Sequence, residues 1–494
     1  MPETFKNWIG GDWVAARSGK TFADVNPADR DDVVGLFPES GAEDVEDAVR
    51  AAEKAFASWR LVPAPRRADV LFRAAAILEE GKEAHAREMT REMGKILTEA
   101  RGDVQEAIDT AYYAGGEGRR LFGETVPAEL PAKFAMSIRR PVGAAGMITP
   151  WNFPMAIPSW KVFPAVVSGN TCVLKPAELT PLSAVRFCEA LEKAGLPPGV
   201  VNLVHGGGLA VGRPLVEHRR LPLVSFTGST EVGRDIAERC GRLLKRVSLE
   251  MGGKNAQIVM DDADLELAAD GVLWGAFGTT GQRCTATSRL IVHEKVARPL
   301  TERVVLLARR IRVGDGLADG VDMGPLVSAE QRDTVHRYVE IGKKEGATLL
   351  CGGAPLTDGA LAKGHFYAPT VFSGVRPSMR IAREEIFGPV LSILEVKSLD
   401  EAIRVLNDTD YGLSSSIYTR DVSSAFRAIR DVDAGITYVN GPTIGAEVQL
   451  PFGGAKGTGN GHREAGTAVY DFYTEWKSVY VDYSGRLQKA QIDR

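Results

Sequence analysis

Between Ala144 and Glu250 the chain reads AAGMI (144–148), TCVLK (171–175), VVNLV (200–204), LVSF (223–226) and VSLE (247–250), with helical stretches at 155–168, 181–194, 209–218 and 230–245 between them. These short runs are mostly apolar along their length, as strands buried on both faces must be. Strand and helix in turn imply right-handed crossovers, and so predict a doubly wound parallel sheet. The alternation starts again with AQIVM (256–260) and RLIVH (289–293), with helices near 264–278 and 295–310, and continues through PVLSILEV (389–396), LSSSIYT (413–419) and GITYVN (435–440). Two α/β lobes suit a chain of 494 residues better than one oversized sheet.

Outside these lobes the texture differs. Val45, Val49, Ala52 and Phe56, then Leu71, Ala75 and Leu78, recur at helical spacing, which predicts an amphipathic helical opening over 43–59 and 64–100. PAKFAMSIRRPVG (131–143) and YTEWKSVYVDY (473–483) are β-rich and belong to neither alternation, so they are expected to pair with each other or with a neighbouring subunit. At 44% hydrophobic and 25% charged residues the chain is no disordered segment, and it lacks the roughly 18 consecutive apolar residues of a membrane span. Sixty Lys+Arg against 64 Asp+Glu, with no long block of either sign, argue against broad capture of nucleic acid or an anionic membrane. Five scattered cysteines with no paired short spacing fit a reducing compartment and neither a disulfide framework nor a structural zinc site. With no secretory pattern in MPETFKNWIGGDW, the expected location is cytoplasmic.

HGGG (205–208) and GSTEVG (228–233) each follow a strand, where a glycine turn brings backbone N–H groups to a phosphate or simply reverses the chain. Neither is G-x-G-x-x-G or a G-x-x-x-x-G-K-[ST] phosphate loop. Cys172 and Cys188 sit in apolar surroundings and read as inert. Cys284, in GQRCTATSR (281–289), lies in a polar loop between helix and strand and is the candidate reactive thiol. None of the seven histidines adjoins it, which leaves a histidine brought near by folding, or a carboxylate, as its base. Glu250 ends a strand at the carboxyl edge of a parallel sheet, where ligands bind or where a carboxylate is merely solvated. Asn152, in TPWNFP (149–154), is an amide held between aromatics and prolines, suited to donate to a developing oxyanion or satisfied within its loop.

TPWNFP (149–154), LKPAE (174–178), FTGSTEVG (226–233), LEMGGKN (249–255), GQRC (281–284), EEIFGPV (384–390) and PFGG (451–454) stand in one order across some 300 residues. In these motifs the chain resembles the NAD(P)-dependent aldehyde dehydrogenase superfamily over nearly its whole length. The resemblance implies two α/β domains, a Rossmann-like NAD-binding one from 1–122 and 143–252 and a catalytic one from 253–454, with bridging and oligomerisation strands and tail from 123–142 and 455–494. It implies that Cys284 attacks the aldehyde to give a thiohemiacetal, that Asn152 and the Cys284 N–H hold the oxyanion, and that Glu250 activates the water that hydrolyses the thioester. Cofactor contacts carried over are Pro150, Trp151, Lys175, Glu178, Gly208, Gly228, Ser229, Gly233, Glu385 and Phe387. Phe153 and Trp160 match an aromatic substrate wall, and Arg283 and Glu106 match a branch that handles carboxylated semialdehydes.

The cofactor implied is NAD, with NADP accommodated where Glu178 swings away; no metal is implied. The expected partners are a small aldehyde and further copies of the chain, as homodimer or homotetramer. Two other functions remain open at this point: a coenzyme A-acylating enzyme of the same fold, which generally lacks the carboxylate at Glu250, and a catalytically silent structural member.

Overall fold

The computed structural model describes residues 2–492. Its first sheet runs, edge to edge, Arg246–Glu250, Leu223–Thr227, Ala144–Ile148, Thr171–Lys175, Val201–Leu203, Asn7–Ile9 and Asp12–Val14. The first five strands are parallel, as their apolar runs require. The last two form a hairpin turned at Gly10 and Gly11, both with positive φ (66° and 96°), and join antiparallel through Trp8 opposite Leu203. This hairpin extends the sheet beyond what the alternation of strands and helices predicts.

The second sheet runs Thr348–Cys351, Thr370–Ser373, Val390–Val396, Arg289–His293, Ala256–Val259, Ser414–Tyr418 and Ile436–Val439. All neighbours are parallel except the first pair. Successive residues of its strands enter opposite cores: Ile258 and Ile291 pack on one face, Val259, Leu290 and Val292 on the other. Burial of each such side chain contributes roughly 1.5–3 kcal/mol, which is why apolar residues dominate these strands; Ser414–Tyr418 is the exception, its serine hydroxyls satisfied by backbone carbonyls. The first sheet is covered in the same way, with Met147 and Leu174 facing one core and Ala144 and Val173 the other.

The helical opening divides into Ala42–Trp59, Ala64–Glu80, Lys82–Met93 and Leu97–Glu117. The stretch 64–100 is broken at Gly81 and again at Gly94, whose φ of 91° ends a helix in the left-handed conformation that glycine tolerates. The two leftover segments pair with each other. Thr474–Asp482 lies antiparallel to Lys133–Pro141 over nine residue pairs, and Glu124–Val126 adds a third strand. Of the segment 455–494, the strand Thr474–Asp482 joins this small sheet, whereas Val469, Tyr470, Phe472 and Tyr473 pack into the first core.

Candidate active site

The first sheet reverses its strand order between Ala144–Ile148 and Leu223–Thr227, the place where a parallel sheet opens a crevice at its carboxyl edge. Register sets Lys175, Ile148, Phe226 and Leu249 level across four strands, so Thr149, Thr227 and Glu250 emerge together one residue on. TPWNFP leaves the sheet from one of these ends and GST from the next.

Across the crevice stands the loop that carries Cys284. Helix Leu265–Phe277 ends, and Thr279, Thr280 and Gly281 follow with φ of 52°, 58° and 67°. Two β-branched residues in the left-handed region are strained, at roughly 1–3 kcal/mol each, and outside contacts hold them there. Glu99 Oε1 accepts the Thr279 N–H at 2.6 Å, Thr280 Oγ1 donates to Gly324 O at 3.0 Å, and the Gln282 side-chain oxygen accepts the Val327 N–H at 2.9 Å. Any side chain at Gly281 would meet the carbonyls of Gly388 and Ala276. After this turn Asn255 Nδ2 fixes the Cys284 carbonyl at 2.7 Å. Burial first, then the carboxylates of Glu385 and Glu250, push the Cys284 thiol up to about 12, with the N–H groups of Thr285 and Cys284 offsetting in part.

Asn152 is buried and donates through Nδ2 to Gln282 O at 3.1 Å, two residues before the thiol. A side-chain amide carries two N–H groups, so one tethers Asn152 to the nucleophile loop and the second remains for another acceptor. Glu250 is buried with neither carboxylate oxygen hydrogen-bonded, packed against the backbone of Gly453. Burial, and after it the neighbouring Glu464, raise its pKa well above the usual range, opposed by Lys161 and Arg463. Glu464 is itself paired with the buried Lys161, whose Nζ also donates to Ser225 Oγ at 2.9 Å.

Two cavities meet at Cys284. One, of about 230 Å³, is lined by Pro150, Trp151, Asn152, Gly228, Ser229, Glu385 and Phe387, with Gln331 beside them. The other, of about 110 Å³, is lined by Glu106, Phe153, Trp160, Arg283, Glu250 and Phe452. Trp160 stands edge-on to Phe452 with centroids 4.7 Å apart. Arg283 is neither turned to solvent nor bonded to a carbonyl: Nε donates to Thr279 Oγ1 at 2.8 Å, Nη2 lies 3.5 Å from Glu99, and the guanidinium is flanked by the rings of Phe153 and Trp274 at 5.2 and 5.1 Å. Glu106 is pushed up to about 8 by burial and then by Asp103, so at pH 7 it is mostly the neutral acid.

The larger cavity suits a dinucleotide on its own chemistry. Glu385, pushed up to about 7 by burial, uses one oxygen for the Gly253 N–H at 2.9 Å and faces the cavity. Ser229 caps helix Thr230–Arg242, whose positive end opens there. Trp151 and Phe387 meet edge to face at 5.3 Å, Phe387 with a φ of 56°. Lys175, Glu178 and Gly208 form a separate group at neighbouring strand ends: Glu178 accepts from Lys175 Nζ and from the Gly208 N–H, both at 3.1 Å. Gly233 does not line the cavity. It lies inside helix Thr230–Arg242, where a Cβ would strike the sulfur of Met251 and part helix from strand.

Several residues at this centre lie outside the motifs that single out the site: Lys161, Glu464, Lys95, Asp103 and Glu99. Lys161 alone carries a signal, as the one charge in the apolar helix AIPSWKVFPAVVS, which demands a buried partner.

The sequence pattern of the aldehyde dehydrogenase family matches residues 13–479. The chain is 44% identical to an alpha-ketoglutaric semialdehyde dehydrogenase of Bacillus subtilis, over 97% of this chain and 98% of the relative. It is 42% identical to a 2,5-dioxopentanoate dehydrogenase of Saccharolobus solfataricus, over 96% and 97%. Among solved structures, an NAD-dependent aldehyde dehydrogenase of Sinorhizobium meliloti superposes with a TM-score of 0.95 at 40% identity, covering 99% of this chain and 97% of that one. A betaine aldehyde dehydrogenase of Staphylococcus aureus in complex with NAD+ gives 0.95 at 34%, over 98% and 95%.

Proposed function

The chain belongs to the aldehyde dehydrogenase family, and from that premise we propose that it oxidises a carboxylated semialdehyde to the corresponding acid with NAD+, through a thioester on Cys284. The observation that carries this reading is that, among the described residues, Cys284 is the only thiol lining both cavities, with the side bearing Ser229, Glu385 and Phe387 on one flank and the aromatic, arginine-bearing side on the other.

Cys284 loses its proton to water and adds as the thiolate to the aldehyde carbon, and the free N–H of Asn152 donates to the oxygen as it becomes negative. NAD+, when bound in the larger cavity, supplies the hydride acceptor. Pro150, Trp151, Gly228, Ser229, Glu385 and Phe387 would hold its nicotinamide and pyrophosphate part, and Lys175, Glu178 and Gly208 its adenosine ribose. Glu178 accepts from a free 2′-hydroxyl and repels a 2′-phosphate, which favours NAD over NADP. Hydrolysis of the thioester needs water and a base. Ionised Glu250 takes a proton from that water as its oxygen bonds to the thioester carbon and the Cys284 thiolate leaves, and its presence supports hydrolysis over transfer to coenzyme A. Phe153, Trp160 and Phe452 enclose the substrate chain, and Arg283 meets its far carboxylate.

The relatives named for semialdehydes support the substrate class. The chain acts as a homo-oligomer: Thr474–Asp482 is an edge strand of its sheet, and Trp476 and Tyr480 on it are exposed. Its five free thiols favour the cytoplasm; among the described residues no helix is long and apolar enough to cross a membrane. The test is steady-state kcat/KM for matched aldehydes with and without a terminal carboxylate, each with NAD and NADP. The carboxylated aldehyde with NAD should be preferred at least tenfold. Equal values for the neutral aldehyde, or for NADP, refute the corresponding half of the reading.

A further inference from the structure

Helix Leu97–Glu117 carries Glu99, Asp103 and Glu106 at spacings of four and three residues, hence on one face. All three reach the reaction centre. Glu99 holds the Thr279 N–H of the nucleophile loop, Asp103 Oδ1 accepts the Ala156 N–H at 2.8 Å, and Glu106 lines the smaller cavity. Between Asp103 and the loop 149–155 lies Lys95, delivered there by the left-handed turn at Gly94. Its Nζ donates to Asp103 Oδ2 at 2.9 Å and to the Asn152 carbonyl at 2.7 Å, and stands 4.0 Å from the centroid of the Phe153 ring. The side chains of Lys95 and Asp103 are both 0% exposed.

We propose that Lys95 and Asp103 are positioning residues for Asn152, bracing its backbone so that its amide is aimed at the aldehyde oxygen. This rests on the reading of Asn152 as the oxyanion donor. A buried ion pair contributes little net stability, because desolvation offsets its attraction and apolar pairs often replace it without loss. What this pair does supply is direction. Its three hydrogen bonds end on the Asn152 carbonyl, on the partner charge and on the first N–H of helix Ala156–Ser168, so both sides of the 152–156 turn are held from beneath. With the side chain tethered to Gln282 O, Asn152 is fixed at backbone and at amide, and one N–H keeps a set direction. The same helix face registers the thiol through Glu99, so one rigid element sets nucleophile against oxyanion donor.

The test is the paired variant Lys95→Met/Asp103→Asn, which removes both charges together and keeps an acceptor for the Ala156 N–H. Single-turnover NADH formation should fall about ten- to a hundredfold, the scale of a misdirected group. Alkylation of Cys284 by iodoacetamide, which forms no oxyanion, should stay within about twofold of wild type. In an Asn152→Ala background the same paired change should cost less than about twofold, since the residue being aimed is gone. Should the paired variant not fold, Asp103→Asn alone gives the same comparison with a three- to tenfold loss. Losses that multiply across the two backgrounds, a wild-type hydride rate in the paired variant, or a matching drop in alkylation overturn the proposal. Wild-type turnover by Asn152→Ala would instead refute the oxyanion reading itself, and this inference with it.

Discussion

Replacing Arg283 by methionine removes its donors while keeping a long side chain between Phe153 and Trp274. Of the five guanidinium N–H groups, Nε is committed to Thr279 and one Nη2 hydrogen points at Glu99. Three remain, enough for a forked contact with a carboxylate. A hydrogen bond to a charged group contributes about 1.5–3 kcal/mol, which converts to roughly a ten- to hundredfold loss of kcat/KM for a carboxylated aldehyde. A neutral aldehyde of equal length reports the loop support that the Thr279 and Glu99 bonds provide, and its loss should stay below about threefold. Glu106 adds a pH signature. Held mostly neutral below about pH 8 by burial and by Asp103, it donates to a substrate carboxylate at pH 7 and repels it once ionised. The ratio of kcat/KM for carboxylated over neutral substrate should therefore fall between pH 7 and 9, and a Glu106→Gln variant should flatten that fall. Equal losses for both aldehydes in Arg283→Met would mean that the guanidinium supports the loop and does not read the substrate.

Other consequences are as direct. Glu250→Gln should form NADH in the first turnover and then stall, steady-state rate dropping by about 10² or more, because thioester hydrolysis needs the base; quench-flow showing normal deacylation would place the base elsewhere. With Cys284 pushed up to about 12 by its burial and by Glu385 and Glu250, its alkylation in the enzyme without cofactor should quicken about tenfold per pH unit from 6 to 9, and a plateau below pH 7 would contradict a thiol raised in this way. His205, buried with both ring nitrogens unbonded, is lowered to about 3 by burial and then by Lys175. The unfolded chain, near 6.5, then takes up the proton first, so stability is whole above about pH 6.5 and falls by about 2 kcal/mol at pH 5. Thermal melts of His205→Phe should lose that acid slope, and an unchanged slope would assign it to other groups.

Most of the parallel strands are legible because burial on both faces leaves them largely apolar along their length; AAGMI, TCVLK and RLIVH match their observed bounds residue for residue. NWIGGDWV is harder to read, since its strands are three residues long and only the paired glycines mark the turn. TLLC (348–351) and TVFS (370–373) are likewise too short to separate from loop. In the site, Cys284, Asn152 and Glu250 announce themselves because each sits in a short unusual run at an element's end. Glu464 does not: its partner Lys161 lies 303 residues away, and no local pattern links them. Lys95 is hidden for the same reason, its meaning set by Asn152 and by the fold of the intervening chain.

The left-handed turn before Cys284 bears on how the molecule comes to be made. Its supports arrive from Glu99, translated long before, and from Gly324 and Val327, translated some forty residues after. No local sequence rewards two threonines for that conformation, so a nascent chain ending at the strand Arg289–His293 has its thiol but not the turn that presents it. The alignment of the nucleophile with Asn152 is thus complete only when both flanking regions have docked. Before then the cysteine is an ordinary thiol, lacking both the burial that holds its proton and the amide set beside it.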